Sequence, residues 1–323
     1  MRKKMPSIHS GFVGLIFFLF FALSVNNTAF SQTTPEEAVE LWNLRQTEIQ
    51  QFYQDGNLEG ALNSAQEAVS LAETAFGSGS LETISSLLLQ AQIHSEMDQL
   101  EEANQIYQVT LETSVASFGE SDATTLSVLD NYGEFLNSID PEMAEPVFQE
   151  ALQLSSEDDP QRASRMKAVG LNLLELGRII EAEEMLKQAL KTFKEISGEK
   201  NTEALSAMAS LAQLYMSQGK LKHAQELFET ALPMMLEALD ETSFLILESK
   251  ENLAEIYRQQ GKYSQAETLF LQSMKAAEAE YGEGDPLVVQ AKSHLAQLYE
   301  DTGKLKQALA FHQQVYEIDS ELL

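Results

Sequence analysis

The residues best suited to chemistry in this 323-residue sequence are five histidines set among 50 acidic side chains. A zinc hydrolase would place two histidines four apart on one helical face, with a glutamate as base between them, and a phosphate-cradling loop would place glycines at set offsets before a lysine. His9, His94, His223, His294 and His312 stand too far apart for the first, and no glycine run satisfies the second. The G-x-S-x-G turn that exposes a serine nucleophile is also missing. "SEDDP" (156–160) and "EGDP" (283–286) are acidic, but they lack the alternating ligands and central glycine of a calcium loop. With no cysteine there is no disulfide, thiolate metal site or cysteine nucleophile. The expected catalytic, metal and cofactor sets are therefore empty, and the expectation is a protein that binds, not an enzyme. His94 and His294 are expected to be surface or groove residues, and Trp42, the only tryptophan, to pack at the N-terminal end.

Charge limits the partners. From Gln32 to Gln161 the only basic residue is Arg45, against 25 acidic ones, whereas Arg162 to the end carries 17 basic and 25 acidic residues. A nucleic acid partner needs a basic surface for its phosphates, so none is expected. Anionic lipid headgroups are disfavoured for the same reason. Such a field attracts a basic protein or peptide. The alternative is an acidic structural spacer, or a weak binder of divalent cations, with no specific peptide ligand.

The stretch from Met1 to Ser31 reads as an export signal: a basic start (Arg2, Lys3, Lys4), an apolar run from Gly11 to Val25 and small residues at Ala29 to Ser31. That run is shorter than the roughly 18–20 residues needed to span a bilayer. The expectation is cleavage before Gln32, no stable membrane insertion afterwards, and a periplasmic or secreted location, bacterial in type.

The elements that must present any binding surface come from a repeat. Ala61, Ala103, Ala144, Ala182, Ala224, Ala266 and Ala308 recur at a nearly constant step. Five positions before each stands a turn residue: Gly56, Asp98, Ile139, Gly177, Gly219, Gly261 and Gly303. A period in the range of roughly 20–50 residues means stacked units that cannot bury their apolar faces alone. Each copy reads as two helices. In the first, Leu253, Ala254, Ile256 and Tyr257 recur one period on as Leu295, Ala296, Leu298 and Tyr299, a helical stripe. In the second, Ala266, Leu269, Phe270, Ser273, Met274 and Ala277 mark a helical face.

The unit "LAxxYxxxGKxxxAxxxF" resembles the tetratricopeptide repeat, in a long form similar to the repeats of kinesin light chains. The resemblance covers residues 35 to 323. It implies an all-α, right-handed superhelical solenoid of about seven helix-turn-helix repeats, with first helices lining a concave groove that takes a partner peptide or helix. By the same resemblance, the position just before the "LA" pair touches the bound backbone. Asn252 matches it, Asn131 matches it once the short turn of its copy is allowed for, Ser210 and His294 occupy it with other residues, and Ala168 and Leu89 depart, so a continuous asparagine ladder is absent. These four, Asn131, Ser210, Asn252 and His294, are the groove candidates.

Two irregularities remain. The third copy turns through "SIDPEM" (138–143) without glycine, and the following "SSEDDPQR" (155–162) falls short of the usual linker length, so a kink or seam is expected there. At the other end, Val315, Ile318, Leu322 and Leu323 leave an apolar surface, for which self-association through the last helix is expected.

Overall fold

A computed structural model describes residues 33–321, so the expected signal (1–31), Leu322 and Leu323 lie outside the described residues. Among the described residues there are fourteen α-helices and no strand. In chain order they are α1 (Pro35–Gln54), α2 (Leu58–Phe76), α3 (Leu81–Glu96), α4 (Leu100–Phe118), α5 (Ala123–Ile139), α6 (Pro141–Leu154) and α7 (Arg162–Glu175). They continue as α8 (Ile179–Ser197), α9 (Thr202–Ser217), α10 (Leu221–Ala238), α11 (Phe244–Gln259), α12 (Tyr263–Tyr281), α13 (Pro286–Asp301) and α14 (Leu305–Glu321). Odd-numbered helices are the first helices of the seven copies and even-numbered ones the second.

The repeat reading accounts for where the helices stop. Gly261 takes a φ of 74°, in the left-handed region. That conformation costs a residue with a Cβ about 1–2 kcal/mol. The Gly261 backbone N–H bonds back to Arg258 O at 3.0 Å and closes the end of α11. Asp98, which stands there in the second copy, holds the same conformation with a φ of 59°. Asp140 alone separates α5 from α6, and its carboxylate accepts from the Glu142 N–H at 2.9 Å.

All seven ruler alanines are buried, from 0% exposure to 3% at Ala308. A methyl group at that position lets the paired helices approach closely, while large residues fill the gaps between turns. One turn further along the first six of these second helices stand Ala65, Tyr107, Phe148, Leu186, Phe228 and Phe270, all buried. Burying a large apolar side chain such as Phe228 or Phe270 contributes roughly 1.5–3 kcal/mol.

The described chain divides into two compact units at 135/136, inside α5. The first holds α1 to α4 and most of α5; the second holds the last turn of α5 and α6 to α14. Residues 155–162 belong to the second unit. They are non-helical up to Gln161, as the proline and acidic run require. Side chains fasten them: Arg162 Nη1 donates to Leu152 O and Ser155 O at 2.9 and 2.7 Å. Arg165, 5% exposed, donates to Ser155 Oγ and to Asp159 Oδ2 at 2.9 and 2.6 Å.

Candidate functional site

Within the second unit each hairpin packs on the next, and consecutive first helices (α7, α9, α11, α13) also touch directly. Two side-chain systems hold this register.

One is a clip built from the tyrosine and the residue after the turn glycine. Tyr299 Oη donates to Glu267 of the preceding second helix at 2.7 Å, Lys304 Nζ reaches the same carboxylate at 3.2 Å, and that ammonium lies 5.1 Å from the Tyr299 ring centre. Tyr215, Lys220 and Glu183 repeat it, with 3.1 Å from the phenol, 3.7 Å from the ammonium and 5.3 Å from ammonium to ring. At Tyr257 and Lys262 the equivalent acceptor is Gln225, which takes Lys262 at 3.5 Å and Gln260 at 2.9 Å, while the phenol turns to Glu229 at 2.7 Å. Hydrogen bonds in and beside the clip shift its ionisations. Hydrogen bonds from Lys187 first and Tyr215 next outweigh burial and hold the Glu183 carboxyl at about 2. The bond from Tyr299, then Lys304, keeps Glu267 below the usual carboxylate range. Burial, with Glu267 beside it, pushes Tyr299 up to about 12.

The other system bridges neighbouring first helices. Lys167 donates to Glu203 at 3.0 Å, Gln213 to Glu248 at 2.8 Å, and Arg258 pairs with Asp301 across from α11 to α13. His294 Nδ1 lies 2.9 Å from Glu251 Oε2, and the other oxygen of Glu251 accepts from Ser273 Oγ at 3.1 Å. Burial raises the Glu248 carboxyl. It acts on Glu255 too, but bonds from Arg258 and Gln259 outweigh it and hold Glu255 low. In the last turn of α5, Asn137 accepts from Asn172 at 2.8 Å and donates to Glu175 at 2.9 Å.

The four groove candidates divide accordingly. Asn252 and His294 are half-buried on the first helices of adjacent copies in the second unit. Asn252 has no side-chain hydrogen bond among the described residues, so its amide keeps both donor and acceptor capacity. His294 also packs its ring on Phe270, with centres 5.3 Å apart. Ser210 is 7% exposed and donates to Ser206 O at 3.1 Å within its own helix. Asn131 belongs to the first unit, where its amide donates to Ser127 O at 2.8 Å. His94 is a correction. It is not a surface or groove residue but is buried, with Nδ1 2.6 Å from Gln99 Oε1. It occupies the clip position that tyrosine holds in later copies, and Gln99 the lysine position. Trp42 packs edge-on against Phe76 and donates to Ser86 Oγ at 3.0 Å.

The sequence reading missed Gln213–Glu248, Lys167–Glu203 and Arg258–Asp301. Their partners stand 35, 36 and 43 residues apart, and only the near-period spacing could have hinted at them. Among the described residues no group of three or more His, Asp or Glu side chains is placed to hold a metal ion, and no helix is long and apolar enough to cross a membrane.

The tetratricopeptide repeat family model matches residues 161–237 and 245–321. No curated protein matches the chain. Among solved structures, a tetratricopeptide repeat protein from Parabacteroides merdae aligns with a TM-score of 0.57 at 16% identity, over 86% of this chain and 93% of that one. BtubC (BKLC) from P. vanneervenii aligns at 0.56 and 16% identity, over 74% and 92%. The nearly identical repeats of a putative kinesin light chain from Podosopora anserina align at 0.50 and 19% identity, over 61% and 94%. At these identities the likeness speaks to the fold.

Proposed function

Because the chain is a tetratricopeptide-repeat protein, we propose that it is a non-enzymatic interaction scaffold of the cell envelope or secreted space, which binds an extended peptide or helix of a partner along the first helices of its second unit. The observation that carries this reading is the bridged row of α7, α9, α11 and α13. Lys167–Glu203, Gln213–Glu248, His294–Glu251 and Arg258–Asp301 tie the helices side by side, so little of the scaffold has to be ordered when a ligand binds. Asn252 stands on that row with an uncommitted amide, suited to a peptide's alternating N–H and C=O groups. Export rests on the basic, apolar and small-residue order of residues 1–31. A basic partner is favoured by the overall charge of −29, and its capture weakens as salt rises.

The test is affinity capture from an envelope extract at low and moderate salt, with the wild-type protein beside Asn252→Ala and the Asn252→Ala, His294→Ala double variant. Retention of a partner by wild type and its loss from Asn252→Ala, with unchanged helicity, supports the reading. Equal retention by the double variant contradicts it.

A further inference from the structure

The second helices carry a repeated interface on the side that meets the following hairpin. Relative to each ruler alanine it uses the positions one, four and eight later: Glu183, Leu186 and Leu190 on α8, Gln225, Phe228 and Leu232 on α10, Glu267, Phe270 and Met274 on α12. Leu186, Phe228 and Phe270 are fully buried there, and Leu232 and Met274 nearly so. On α14 the same three positions are Leu309, His312 and Tyr316, and Leu309 and Tyr316 are 67% and 73% exposed. Leu305, one turn earlier, is 68% exposed and completes a stripe at i, i+4, i+7 and i+11 along one helical face.

The chemistry of this face has also changed. The first position is a carboxylate or amide on α8, α10 and α12, where it receives the tyrosine or lysine of the next hairpin. On α14 it is Leu309, which can accept nothing. The face therefore lacks the clip's acceptor and presents an apolar stripe to solvent. Val315 and Ile318, the residues first expected to be left open, are half-buried instead.

We propose that this stripe is a docking surface for a second copy of the protein, α14 packing antiparallel against α14 about a twofold axis near Phe311. Two observations single out a second copy. The face continues the interface by which earlier hairpins of the second unit are covered. Its charge is also self-complementary: Lys306 lies at the start of α14, and Glu317 lies near its end. Antiparallel pairing sets Lys306 of one copy near Glu317 of the other and Leu305 against Tyr316. A twofold contact closes on itself and makes a dimer, with no growing filament. This surface lies on a second helix, so it leaves the first-helix row free, and the proposal does not depend on peptide binding there.

The experiment is sedimentation velocity of the purified protein from micromolar to hundreds of micromolar. Wild type is expected to sediment as a concentration-dependent dimer. Leu309→Glu and Tyr316→Glu place like charges in the apolar contact and are expected to raise the dimer dissociation constant by about 100-fold, with helicity unchanged. Lys306→Glu is expected to weaken the dimer and Lys306→Glu with Glu317→Lys to restore it, a rescue that a merely structural effect would not give. A monomer at every concentration overturns the proposal, as does a dimer indifferent to Leu309→Glu and Tyr316→Glu.

Discussion

The two units fasten one helical hairpin to the next by different chemistry. In the second unit the fastening is ionic: a phenol and an ammonium converge on Glu183 or Glu267. In the first unit the same positions hold Phe52 with Asn57 and His94 with Gln99, and the extra contacts are aromatic and neutral. Tyr107, Tyr132 and Phe135 stack with centres 5.0 to 6.4 Å apart, and Tyr132 Oη donates to Asn104 at 2.9 Å. The charge balance follows the same division: residues 33–135 carry 18 acidic side chains and one basic, Arg45, which is already held by Glu48 and Glu67. Residues 136–321 carry 32 acidic and 17 basic. One repeat pattern thus tolerates either fastening, because alanines and large apolar residues supply the packing and the clip only sharpens it.

The largest test of that order removes packing. Phe270 is fully buried, so its truncation leaves a cavity. Phe270→Ala should cost the second unit about 3–5 kcal/mol. Trp42 fluorescence reports the first unit alone and far-UV circular dichroism the whole chain. The expected outcome is an early transition seen by dichroism with the fluorescence transition unmoved. A cost below that of breaking the clip would show that the clip, not the packing, carries the junction.

The clip comes next. Tyr299→Phe removes one hydrogen bond to a partly screened carboxylate and should lower the second unit's stability, read from its denaturant midpoint, by about 1–2 kcal/mol. Gly261 and Asp98 both sit in the left-handed region. Gly261→Ala should cost a similar ~1–2 kcal/mol by forcing a side chain there. Asp98→Gly in the first unit should change stability by less than ~1 kcal/mol. A loss on Asp98→Gly as large as that on Gly261→Ala would contradict a shared left-handed requirement at the two turns.

Acid sharpens the comparison most gently. Glu183 and Glu267 have folded pKa values below the ordinary 4.5, so their stabilising effect is present above that value and is lost as pH falls toward about 2. In the first unit burial raises Glu73, so protonation relieves a cost as pH falls, and mutual repulsion among its carboxylates declines as well. Between pH 7 and 5 the fluorescence transition should move up. Below about pH 4.5 the second unit should weaken first. The reverse order would contradict the ionic and neutral assignment.

The sequence showed the frame of the molecule well and its polar contacts poorly, for a physical reason. Ruler alanines and turn glycines repeat because each copy needs the same close approach and the same left-handed residue, so their period is visible. Asp98 took the glycine role without glycine, and the helical stripe still marked the turn. His94 was misplaced because a lone polar residue on a helix gives no sign of whether its partner is water or Gln99. The clip escaped notice because its acceptors lie 32 to 37 residues back, in another copy. The unit boundary escaped because it falls inside α5, where no break in the helix marks it.

The most direct test of the scaffold reading is amide hydrogen exchange of the protein with and without the captured partner. The account predicts protection gained along α9, α11 and α13, greatest around Asn252 and His294. Protection confined to the second helices, or absent from the second unit altogether, would contradict it.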